Sequence, residues 1–230
     1  MHYHIGFSHS VRAFASLLLL SASGLAHGQA TPAPTAATPG FYAGFRAGYS
    51  SYTMDGQEVN LHTRSGGNLQ RAQWLTLGAI LRQRLYKPLS VQAELVYVRE
   101  GGTLQGGGFL GKTVYTIDCL QLPLLLNLRI PSDERLALHL EGGLALTAVL
   151  SGVELDLPNF APQNNFTNPS SFYSQVYGAE LAWQQGKRLY FFNARYTADF
   201  TDYFQREYLG THYNARSSGL SLTVGVLFGH

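Results

Sequence analysis

Four arginines and five acids are the residues of this chain whose types and spacing suit chemistry. Arg46, Arg82, Arg129 and Arg195, and the carboxylates Glu94, Glu100, Glu141, Glu180 and Asp199, each stand in a stretch whose alternate positions are apolar. They would serve either as a path for protons or ions or as a filling of mutual salt bridges. A charge held away from water is costly unless paired, so the salt-bridged filling is the expectation. Serine with histidine would be a second chemistry, hydrolysis or acyl transfer. His212 lies near Ser217 and Ser218, but no acid is fixed beside them, and proximity in sequence does not assemble a triad. His62 falls, like His212, in polar loop sequence, where a solvated side chain is the ordinary outcome; His139 lies on an alternating stretch and His230 at the end. The single cysteine, Cys119, cannot form an internal disulfide, and no Cys or His spacing resembles a zinc site. No catalytic, cofactor or metal site is expected.

The elements that must position these charges have a two-residue period. In CLQLPLLLNLRIP, Leu120, Leu122, Leu124, Leu126 and Leu128 alternate with Cys119, Gln121, Pro123, Leu125, Asn127 and Arg129. Phe41 to Tyr49 alternates with Tyr42 to Ser50, Leu75 to Leu81 with Thr76 to Arg82, and Leu89 to Tyr97 with Ser90 to Glu100. The same holds for Leu136 to Leu146, Tyr177 to Trp183, Tyr190 to Phe200 and Leu220 to Phe228. These eight stretches predict eight strands. Charged and aromatic residues at 13% each, with 25 glycines and 14 tyrosines, suit an all-β chain. A net charge of +2, with no basic run interleaved with aromatics, leaves no track for nucleic acid. Pro123 lacks an N–H donor, so a bulge or a missed ladder bond is expected beside it.

The connections alternate in length. YKP, PSDE and QGK read as tight turns, whereas 53–67, 101–112, 151–172 and 201–214 are long and polar. That is the plan of an antiparallel up-and-down transmembrane β-barrel, with short turns in the periplasm and long loops outside. Ahead of it, Arg12, the apolar stretch AFASLLLLSASGLA and the small residues Ala26 and Gly28 read as an export signal over 1–28, cleaved before Gln29. A Pro/Ala/Thr-rich tether over 29–40 and the barrel over 41–230 follow.

Alternation does not say which face points inward, because a soluble lipocalin-like barrel alternates too. Lysine usage decides it. Lys87, Lys112 and Lys187 all fall in expected turns or loops, although a water-facing wall would carry several on its strands. The apolar face is therefore expected to meet lipid, with the charges in a lumen too narrow to be a channel at this strand number. The long loops DLPNFAPQNNFTNPSSFY and TDYFQREYLGTHYN carry aromatics suited to recognition or to an outer girdle at Tyr173, Tyr203 and Tyr208.

The chain resembles the outer-membrane β-barrel domain family of Bacteroidetes, often called PorT-like, over about residues 41 to 230. The resemblance rests on Gln92, Glu94, Leu95 and Tyr97, on Leu120, Gln121, Leu122, Pro123 and Leu124 to Leu126, and on Ala194, Arg195 and Tyr196. The chain departs at Gln121, where the family has glutamate, and at Asn127, where it has lysine, so an acid and a base of the lumen are replaced together. The resemblance implies a bacterial outer-membrane location. Its last strand resembles the barrel-assembly signal, with Leu222, Val224, Val226 and Phe228 at alternate positions and His230 in place of the closing aromatic. The expected partners are outer-membrane lipid and, during biogenesis, the barrel-assembly machinery. The expected role is that of a monomeric, non-enzymatic, structural or contact-making barrel acting through its outer loops. An accessory subunit of a secretion or assembly machine is the alternative, and a lipid A-modifying enzyme the second.

Overall fold

The structure is a computed structural model that describes residues 40–64, 66–105, 112–131, 135–150, 171–200, 204–208 and 211–229. The export signal and the tether before Gly40 lie outside the described residues, as does most of the 151–172 loop. The elements in order are β1 (Phe41–Asp55), α1 (Gln57–Arg64), β2 (Asn68–Tyr86), β3 (Leu89–Gln105), β4 (Lys112–Pro131), β5 (Leu136–Val149), β6 (Ser171–Gln185), β7 (Arg188–Asp199), β8 (Phe204–Tyr208) and β9 (Thr211–Gly229).

Strands β1 to β7 pair antiparallel with their sequence neighbours, β9 pairs with β7, and β1 returns to β9 to close the sheet. The closing seam runs from Tyr42↔Gly229 to Asp55↔Arg216. The result is a closed eight-stranded antiparallel barrel. The ninth strand, β8, pairs with the first residues of β9 as a hairpin outside the wall. The sequence predicts loop over 201–214 and over 101–112, which includes Lys112. Both expectations are corrected, since β8 and the start of β9 occupy the first segment and Lys112 begins β4. The 53–67 segment likewise holds α1, begun by a turn in which the Gly56 N–H is held by the Asp55 carboxylate at 2.8 Å. Hydrogen-bonded ladders continue past the apolar part of a strand as long as two chains run side by side, and hydropathy does not register that continuation.

The outward face is apolar and bare. Leu75 is 73% exposed, Phe45 65% and Leu124 56%, a band no water-facing wall would carry. Aromatics bound the band at both ends. On β6, Trp183 and Tyr173 are both exposed and ten residues apart (183 − 173). At ~3.3 Å per residue and a tilt near 40°, ten residues rise roughly 25 Å, the height of an outer-membrane apolar belt.

A narrow barrel needs a strongly curved wall, and inward glycines permit it. A Cβ on Gly48 would lie 2.1 Å from the Leu222 carbonyl oxygen, and one on Gly143 2.0 Å from that of Leu124. Pro123 is handled by omission rather than by a bulge: the β3–β4 ladder passes from Ala93↔Leu124 to Val96↔Gln121 in unchanged register, skipping the pairs at Glu94 and Leu95. The register shifts instead between β2 and β3, at two places, between Arg71 and Leu77 and between Arg84 and Tyr86.

Candidate functional site

The lumen is layered. At the loop end Tyr52, Met54, Val98, Ile117, Cys119 and Phe172 pack together, joined by Val59 of α1. At the turn end Tyr42, Ile80, Leu189, Phe191 and Leu227 form a second apolar cluster. Between them six charges form one continuous brace. Arg195 grips Glu94 with both terminal nitrogens, at 2.8 and 3.0 Å, and reaches Glu141 at 2.6 and 3.2 Å. Arg46 adds a contact to Glu94 at 2.8 Å. Arg82 holds Glu180 in a second fork, at 2.9 and 2.7 Å, and lies 3.9 Å from the free oxygen of Glu141.

Neutral amides knit the brace together. Gln92 accepts from the Arg82 Nε–H at 2.5 Å and donates to Glu94, Asn127 donates to Gln92 at 3.3 Å, and Asn193 donates to Glu141 at 2.9 Å. The three bases and three acids cancel, and with the amides they tie together β1 through β7. Forked guanidinium–carboxylate contacts supply the geometry that lets charges persist without water.

Three of the nine charges expected in this network stand apart from it. Glu100 lies six residues beyond Glu94 on β3 (100 − 94), about 15 Å along the tilted barrel axis. There it accepts from Gln121 at 2.6 Å, while Asp199 accepts from the Ser174 hydroxyl at 2.6 Å and the Ser217 N–H at 3.1 Å. No arginine pairs with either acid among the described residues. Arg129 is half-buried at the turn end. Placing all nine together was the error of reading only the face and not the depth; counting residues from the tight turns separates them. Gln92, Asn127 and Asn193 are the lumen partners that charge-based reasoning missed.

The other sequence-level candidates are also placed. Ser217 is buried toward the lumen, and the Asp199 carboxylate accepts from its backbone N–H rather than orienting a histidine. His139 is buried at the opposite end of the barrel from Ser217. The side chains of His62 and His212, and all of His230, lie outside the described residues. Gln121 and Asn127 stand at different depths, one donating to Glu100 and the other to Gln92, so they do not replace a single ion pair. On β9, Leu222, Val224 and Phe228 are exposed on the outer face, with Val226 half-exposed between them.

The profile of the outer membrane protein beta-barrel domain family matches residues 39–229. The chain belongs to that family. No curated protein matches it. Among solved structures the barrel is similar to the outer membrane protein OprG of Pseudomonas aeruginosa, with a TM-score of 0.53 and 11% identity over 84% of this chain and 98% of that one. It is also similar to the outer membrane protease OmpT of Escherichia coli (TM-score 0.48, 10% identity, 87% and 100% covered). A third is the attachment invasion locus protein Ail of Yersinia pestis (0.41, 14%, 81% and 98%). The likeness to OprG is one of fold alone. Family and fold place the barrel in the outer membrane, with its exposed apolar band in lipid.

Proposed function

We propose that this outer-membrane barrel is a non-conducting scaffold whose role is structural or contact-making through its long outer connections. The observation that carries the reading is the filled lumen. The cavity between the ionic brace and the loop-end cluster, lined by Arg46, Gln121, Pro123, Arg195 and Thr197 among others, measures about 10 Å³. That is room for about one water molecule. With apolar layers on both sides of the brace, no hydrated ion has a continuous path among the described residues. The finer family reading, a PorT-like member from Bacteroidetes, rests on the strand motifs at Gln92 to Tyr97, Leu120 to Leu126 and Ala194 to Tyr196. It supports a contact-making role at the cell surface or beside an envelope machine.

Planar-bilayer recording on the refolded full chain tests the proposal. Little or no steady conductance is expected, and a stable ohmic pore would refute it. Purification from native membranes, followed by mass spectrometry, separates the two contact readings. A stoichiometric co-purifying complex favours the accessory subunit, and a barrel recovered alone favours a free surface scaffold.

A further inference from the structure

The turn end of the lumen opens into a vestibule that the brace does not use. A cavity of about 40 Å³ there is lined by Arg84, Arg129, Arg135 and His139, with Arg82 at its floor. Arg82 is committed to Glu180. The side chains of Arg84, Arg129 and Arg135 have no ion-pair or hydrogen-bond partner among the described residues, and no acidic residue among them lines the cavity. Arg129 and His139 face each other across the β4–β5 ladder, which brings the imidazole beside a guanidinium. His139 is only 6% exposed, and its Nδ1 is buried with no hydrogen-bond partner. Unpaired cations converging on a buried, unsatisfied imidazole are an arrangement that an anion completes.

The size and donor set narrow the class. A cavity of about 40 Å³ holds about three waters at roughly 10–15 Å³ each, or one tetrahedral oxyanion. Planar guanidinium forks match phosphate oxygens in pairs, which single-point halide binding does not require. We propose that the vestibule is a phosphate-group site on the periplasmic face, with Arg84, Arg129 and Arg135 as its charged clamps and His139 at its base. The phosphate is that of a free small molecule or of an inner-leaflet lipid headgroup. The inference goes beyond the scaffold reading and does not depend on it, since a closed lumen and a conducting one can both carry a mouth site.

The test uses the refolded full chain in an uncharged sugar detergent, with inorganic phosphate and a short-chain phosphatidylglycerol as separate probes in calorimetric titration. Saturable binding of inorganic phosphate supports a free-anion site, and binding of the lipid alone supports a headgroup site. In either case Arg129→Gln and Arg84→Gln should weaken binding roughly tenfold or more. Arg71→Gln, an exposed change near the loop end of β2, should leave it unchanged. Heat-modifiable gel mobility confirms that each variant is folded. No saturable binding of either probe overturns the proposal, as does equal binding by the Arg84 and Arg129 variants. Binding that appears only in Asp133→Asn/Glu134→Gln also overturns it, because these two acids, next in sequence to Arg135, would then be the vestibule's own counter-ions.

Discussion

Replacing Arg195 with leucine should unbalance the lumen in a way that names its own remedy. Wild-type Arg195 makes four contacts, two to Glu94 and two to Glu141, all at 3.2 Å or less. After Arg195→Leu, Glu94 keeps Arg46 at 2.8 Å and the amide of Gln92. Glu141 keeps, among the described residues, Asn193 and the 3.9 Å approach of Arg82. The carboxylate left short is therefore Glu141, at a cost of about 3–5 kcal/mol for an uncompensated buried charge. With a urea dependence of ~2 kcal/mol per molar, the unfolding midpoint in detergent or lipid should fall by roughly 2 M with unchanged slope. Arg46→Leu should cost less, because Glu94 retains the fork from Arg195 and the buried Arg46 Nε already lacks a partner. Adding Glu141→Gln to Arg195→Leu restores neutrality and should recover most of the loss. Adding Glu180→Gln should not, since Glu180 belongs to Arg82. Equal rescue by the two second changes, or a larger penalty for Arg46→Leu than for Arg195→Leu, would refute this reasoning.

The wall and its orientation offer further checks. Leu124→Arg sets a charge against hydrocarbon and should cost about 2–4 kcal/mol near the midplane, seen as loss of heat-modifiable mobility; normal folding would contradict the lipid-facing assignment. Gly143→Val should block closure of the wall, its Cβ falling 2.0 Å from a carbonyl oxygen, whereas Gly142→Val, with Tyr177 3.9 Å away, should fold; refolding yield on gels reads the difference. A cysteine at Gly66 should label with an impermeant maleimide on intact cells and one at Lys87 should not, with buried Cys119 silent in both; labelling at Lys87 would invert the topology.

The strand count, the closed antiparallel wall and the direction of its two faces were legible in the sequence. The wall strands follow from the period of two along runs such as Leu120, Leu122 and Leu124 or Leu222 and Val224, the up-and-down wall from the alternation of short and long connections, and the direction of the two faces from the scarcity of lysine on the strands. The inward position of Arg46, Arg82, Glu94, Glu141, Glu180 and Arg195 followed from the same rule. Which acid meets which base did not. Arg195 reaches Glu94 across 101 residues and Arg82 reaches Glu180 across 98, so the pairs depend on strand register and on which strands face each other through the lumen. Closure of the barrel gives Arg195 both Glu94 and Glu141. Depth, by contrast, was within reach of the sequence: Glu100, Asp199 and Arg129 share the inward face with the brace, but their residue distances from the tight turns set them at other levels. The mouth cluster of Arg84, Arg129, Arg135 and His139 comes from three strand ends and a turn, and it exists only because β1 meets β9 and draws those ends into a ring.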